Sequence, residues 1–170
     1  MTVPAPVAVP PVQFWDAAKR HYADAQHLNA QGRLGSADHL AGFAAECAIK
    51  AILIGFLGSQ VDPKGKPFSP VLKIPGQRQK SWDYQHGHLP QLWTQLAGVV
   101  QGQAGRGTVV GPKFIALISQ PNPFAHWDVA DRYADASSIT VARVAGHLTA
   151  ANDLCETYQL ALLTGTGTLA

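Results

Sequence analysis

Charge is what this chain has least of. Only 14% of its 170 residues are Asp, Glu, Lys or Arg, against ~25% in an ordinary soluble domain, and the formal net charge is +2. With 46% hydrophobic residues beside that small net charge, the composition excludes wholesale disorder, which joins low hydrophobicity to high net charge. Long hydrophobic runs are missing as well. The longest, Ala51 to Gly58, falls far short of the ~20 residues a bilayer requires, so no membrane span is predicted. Two cysteines, Cys47 and Cys155, cannot build a disulfide framework, and both read as reduced thiols in helical cores. Glutamate is nearly absent: with only Glu46 and Glu156, the four-Glu di-iron site of ferritin-like bundles is excluded. Residues 1–12 lack the Lys or Arg that opens a signal peptide, so a cytoplasmic location is expected, with this Pro-rich stretch as a flexible tail. So few charges leave a surface of Gln, Ala, Thr and Gly, or one partly covered by a partner.

What is present is helical periodicity. Phe14, Ala18, His21, Tyr22, Ala25 and Leu28 recur three or four apart, which predicts an amphipathic first helix from Phe14 to about Gln31. Ser36 is placed to cap a second helix over Ala37 to Leu57 that is apolar nearly all round, the pattern of a central buried helix. Pro63, Pro67, Pro70 and Pro75 then forbid a helix, and residues 59–87 read as a long loop with room for a short hairpin. A third helix is predicted from Pro90 to Gln103, a short one over Lys113 to Ser119, and a last long one from Ile139 to Leu163, capped by Ser138. In the last helix Val141, Val144, Leu148, Ala151, Cys155, Tyr158 and Leu162 form a bundle seam. The fold class is therefore all-α, a bundle of four to five helices over residues 13–164, followed by a flexible tail at 165–170.

The charges are unevenly placed. Between Ser59 and His126 stand Lys64, Lys66, Lys73, Arg78, Lys80, Arg106 and Lys113 against Asp62 and Asp83, a net of +5 on a scaffold of −3. A basic connection of this kind suits phosphate contacts, with Phe68, Trp82 and Tyr84 available to stack on bases; a loop kept soluble by lysine is the plainer alternative. No cofactor is expected. Gly58 to Lys66 lacks P-loop spacing, Gly105, Gly107 and Gly111 miss the dinucleotide pattern, and His86 and His88 have no neighbouring ligands to complete a metal set.

The most informative residues lie on the second helix. His39, Phe43, Glu46 and Lys50 follow one face, and Glu46 precedes Lys50 by four, the favourable order for a helical ion pair. Two charges on so apolar a helix need a partner, and Arg132, in the Trp127 to Tyr133 segment, is the expected one because guanidinium holds carboxylate through two hydrogen bonds. The pair is either a bundle-fixing salt bridge or part of a ligand site.

The segment Ala37-x-x-Leu40-Ala41-Gly42-Phe43-Ala44-Ala45-Glu46-Cys47-Ala48-Ile49-Lys50-Ala51 resembles the second helix of prokaryotic HEPN domains. His88-Leu89-x-x-Leu92 and the Trp127 to Arg132-Tyr133 element follow in the order that family has. The resemblance implies an up-and-down bundle, usually a homodimer, that binds RNA or a nucleotide in toxin–antitoxin or defence systems, often beside a nucleotidyltransferase. On it, Glu46, Lys50, Arg132 and Tyr133 would line or stiffen the site, with His39, Trp127 and His88 near its edge. Active ribonucleases of the family place four to six residues between an Arg and the His that acts as base. Here Arg143 and His147 have three between them, Arg78 and His86 seven, and the five between Arg33 and His39 precede the second helix. Enzymatic activity is thus left open. A ribonuclease would use Arg143 and His147, or His88 as base, although i, i+4 residues such as Arg143 and His147 also suit a solvated helix face. A purely structural interaction module is the third reading.

Overall fold

A computed structural model describes residues 13–70, 85–102 and 110–164. The described chain is mostly helical, as expected: α1 (Phe14–Ala30), α2 (Leu34–Phe56), α3 (Gln91–Gly102), α4 (Pro112–Ile118) and α5 (Val141–Leu163), with a five-residue 3-10 turn at Val129–Tyr133. Strands β1 (Gln60–Val61) and β2 (Pro67–Phe68) form an antiparallel hairpin with Gln60 opposite Phe68, inside the stretch read as a loop.

α2 is the axis of the packing. It lies against α1 and α5 along most of its length and meets α3 and the 3-10 turn on its remaining sides. Its alanines at 41, 44, 45, 48 and 51 are buried, and their small side chains admit neighbouring backbones closely. Ile49, Ile52, Leu53 and Phe56 join Leu92, Trp93 and Leu96 of α3, Phe114 of α4, Phe124, Trp127 and Leu154 of α5 in one core. Taken as a whole helix, α2 has the length and the mean hydropathy (1.5) of a bilayer span, although its uninterrupted apolar runs are short. Two thirds of that window is buried inside the fold, so its apolar surface is spent on neighbouring elements.

The helix starts differ from the sequence reading. α2 begins at Leu34, so Ser36 sits within its first turn and caps nothing. α5 is capped by Thr140 instead of Ser138, the Thr140 hydroxyl accepting from the Arg143 N–H at 3.2 Å. The α5 seam also rotates: Val144, Ala151 and Cys155 are buried as expected, but Val141 and Leu162 are exposed while His147, Leu154 and Ala161 turn inward. A 3.6-residue helix drifts off a seven-residue repeat, and the buried set follows the helix.

Trp127 explains the glycine of the second-helix pattern. A Cβ on Gly42 would lie 2.1 Å from the Trp127 indole, so only glycine lets the ring settle on α2. Once seated, the indole is 1% exposed, and its N–H donates to the Asp38 carbonyl oxygen at 3.2 Å.

Candidate functional site

The predicted site residues separate into two groups along α2. The first is centred on Glu46, a carboxylate 5% exposed. It accepts from Lys50 Nζ at 2.7 Å, from His88 Nδ1 at 2.9 and 3.1 Å, and from the Leu89 backbone N–H at 3.3 Å. Arg132, expected as the partner of Glu46, is not among these groups. It belongs to the 3-10 turn, which packs beside the start of α2, and seven residues of helix from His39's level to Glu46's put about 10 Å of rise between them. The carboxylate is satisfied by the residues that enter α3 instead.

His88 differs from its partners in exposure. Its side chain is 60% exposed while Lys50 is 9% exposed. A ring whose Nδ1–H is held by a carboxylate has a fixed tautomer and orientation, with Nε2 as its acceptor when neutral. His88 and Lys50 line a cavity of about 630 Å³ together with Lys66, Phe14 and His86. Behind it, Ser59 Oγ and His86 Nε2 lie 2.8 Å apart, both side chains buried, and burial pushes the His86 imidazole down to about 4. His86 is therefore an uncharged wall at neutral pH.

The second group surrounds Asp38, which the sequence reading did not single out. Its carboxylate is 1% exposed, accepts from His147 Nδ1 at 2.7 Å and has Arg143 Nη2 3.0 Å from its other oxygen. The Arg143 guanidinium also donates to Asp131 at 3.0 Å and to the His126 carbonyl at 3.3 Å. His147 Nε2 lies 3.1 Å from the Pro123 carbonyl oxygen, and the ring stacks on Phe124 with centroids 4.7 Å apart. Arg143 and His147 do share a face of α5, but it is the inward face, not a solvated one. Both ring nitrogens of His147 face oxygen acceptors, so the ring ties α5 to α2 and to the 120s segment.

His39 and Trp127 stand beside this network, their rings stacked at 5.6 Å and 18°. Phe43 meets both edge-on, at 4.6 Å and 5.7 Å. Burial lowers the His39 pKa, and the Arg132 guanidinium adds to that. Arg132 itself is exposed and lies over the Tyr133 ring at 4.7 Å, while Tyr133 is 78% exposed. A second cavity, about 510 Å³, opens here between Arg33, Ser36, His39, Asp131 and Arg132.

The basic connection is only partly described. Lys64 and Lys66 are exposed, their backbone N–H groups bonded to Asp62 Oδ1 at 2.8 Å in the hairpin turn. Lys113 is not a free cation: it pairs with Glu156 and Asp153 of α5, and the Glu156 hydrogen bond raises its pKa. Lys73, Arg78, Lys80 and Arg106, like Trp82 and Tyr84, lie outside the described residues. Among the described residues no cluster of three or more His, Cys, Asp or Glu could hold a metal. Burial pushes both the Cys47 and Cys155 thiols up to about 11, against a reactive role.

The pattern could have disclosed Asp38. Arg143 and His147, four apart, demand a shared anion if they face inward, and Asp38 is one of few carboxylates on the apolar helices. Compared with protein-family models, with curated proteins and with solved structures, the chain has no match.

Proposed function

We propose that this chain is a cytoplasmic HEPN-type domain, an up-and-down helical bundle that binds RNA or a nucleotide within a two-component toxin–antitoxin or defence system. In this reading it acts as a homodimer or beside a nucleotidyltransferase partner. The observation that carries the proposal is the Glu46, Lys50, His88 group, a buried ion pair that holds one exposed imidazole at the rim of a 630 Å³ cavity bordered by Lys66. A ligand with phosphate and aromatic parts matches that mixture of cation, imidazole and Phe14 ring. The test is fluorescence anisotropy with labelled RNA across a salt series. Binding should weaken with a log–log slope near −0.7 per phosphate neutralised, and neutralising Lys64, Lys66, Lys73, Arg78, Lys80 and Arg106 should abolish it. Binding that is absent, or indifferent to salt, overturns the proposal.

One observation favours a second reading, phosphodiester cleavage. Glu46 orients His88 from Nδ1 and leaves the exposed side of the ring to take a proton from an RNA hydroxyl. His147 is less suited to that task, since its side chain is 7% exposed and both its nitrogens are engaged. If purified protein cuts labelled RNA and His88→Ala stops it with the helical circular dichroism unchanged, the enzyme reading stands. Intact RNA with wild-type protein ends it.

A further inference from the structure

Apolar surface is left uncovered where α1 begins and α5 ends. Among the described residues seven large hydrophobic side chains are exposed, and three of them, Leu160, Leu162 and Leu163, fall in the last turn of α5. Two cavities open beside them. One, about 270 Å³, is bordered by Gln13, Phe14, Ile54, Gly55 and Tyr158, and the other, about 470 Å³, by Lys19, Gln159, Leu162 and Leu163. Trp15 lines both and joins them into one groove.

The chemistry of this groove is specific. The half-buried Trp15 and Tyr158 rings stack with centroids 4.5 Å apart at 29°. Among the described residues neither the Trp15 indole N–H nor the Tyr158 hydroxyl has a hydrogen-bond partner. The charges at the rim, Asp16 and Lys19, pair with each other at 2.8 Å. Such a surface suits an uncharged apolar segment that is rich in carbonyl acceptors and poor in backbone N–H groups.

Residues 1–12 have that composition. They read MTVPAPVAVPPV, with four prolines, four valines and no charge, and they lie outside the described residues. Each proline removes a backbone N–H and keeps its carbonyl. Aromatic grooves take proline-rich segments because the polyproline II form is already populated and costs little entropy to hold. The segment also starts in the right place: Gln13, which follows it directly, lines the smaller cavity. At about 3.1 Å per residue, twelve residues reach about 37 Å in that form. Residues 165–170, GTGTLA, continue from the other side of the groove but offer a single leucine.

We infer that residues 1–12 dock along this groove of their own chain, with prolines against Trp15 and Tyr158 and valines toward Leu162 and Leu163. A segment attached at the groove's rim is present at an effective concentration on the order of millimolar, which favours it over the same segment of a second copy. The inference stands apart from the RNA reading.

A nitroxide on Thr2→Cys in the full chain tests it through paramagnetic broadening of amide and indole resonances. Burial holds the Cys47 and Cys155 thiols near 11, so they compete poorly for the label, and wild type carried through the same labelling reports any uptake by them. The Trp15 indole N–H and the Leu163 amide should broaden. The Trp127 indole should stay sharp, since it sits on Gly42, about 20 Å of helix from the Gly55 that borders the groove. This pattern should survive an about tenfold dilution. Leu163→Asp alters a side chain 82% exposed and should cut the ratio of docked to free segment by about tenfold. A variant carrying Pro4→Ser, Pro6→Ser, Pro10→Ser and Pro11→Ser touches no described residue and should lower the same ratio by about fivefold or more. Equal broadening of both indoles, or broadening unmoved by either variant, overturns the inference. Broadening lost on dilution overturns it too, because the groove then belongs to a second copy.

Discussion

Replacing Asp38 by Asn removes one negative charge and keeps the side chain's shape, so it isolates what the carboxylate does for the fold. Arg143 and His147 both meet that group, and they are not equally exposed to its loss. Arg143 keeps Asp131 and the His126 carbonyl, and its side chain is 23% exposed, so water and other acceptors partly replace Asp38. His147 is 7% exposed and has only the Pro123 carbonyl left, with its Nδ1 facing a neutral amide. Breaking one side of a buried ion pair costs about 3–5 kcal/mol, and the retained Arg143 contacts put the expected loss at the lower end, about 3 kcal/mol. For a chain of this size each kcal/mol moves Tm by roughly 2–4 °C, so Asp38→Asn should melt about 6–12 °C below wild type. Urea and thermal unfolding followed by circular dichroism measure both quantities. A double-mutant cycle with His147→Gln then separates the pair from its surroundings, and a coupling of at least about 1 kcal/mol is expected. A loss under about 1 kcal/mol for Asp38→Asn, or simple additivity with His147→Gln, would refute the view that this network ties α5 to α2.

Gly42→Ala puts a methyl group inside the Trp127 ring position, and relief requires the indole to leave its seat and its bond to the Asp38 carbonyl. A destabilisation of about 3 kcal/mol is expected, at the upper end for overpacking, read by urea midpoint together with a red shift in tryptophan emission. His86 supplies a pH signature. Its imidazole is depressed to about 4 in the folded chain against 6.5 unfolded, so the unfolded state takes up the proton first as pH falls. Stability contributed by the neutral ring should be complete above about pH 6.5 and lost toward pH 4, on the order of 3 kcal/mol in total. Denaturation at pH 7.0 and 4.5 should show a smaller difference in His86→Asn than in wild type; equal differences would dismiss the assignment.

The helices were legible because each writes its period locally. The apolar recurrence from Phe14 onward gave α1 to within a residue, and the run of alanines on α2 announced a helix with no solvent side. Interactions between distant segments left a weaker trace. Glu46 and Lys50 could be paired by their spacing, yet the choice of Arg132 as third member rested on guanidinium chemistry alone, and packing brought His88 instead. Asp38 went unnoticed because its partners are 105 and 109 positions away, and nothing within a helical turn of it signals a need for charge. The rotation of the α5 seam has the same origin. A seven-residue rule describes a long straight interface, whereas α5 must bury His147 at one end and Ala161 at the other.

The apolarity of α2 also has a consequence in time. Synthesis delivers α1 directly before it, but α5, which covers its opposite side, begins only at residue 141. At about 5–20 residues per second, α2 waits seconds for that cover. Through that interval its only long helical neighbour among the described residues is α1, and a chain interrupted before α5 displays the surface that holds the finished protein together.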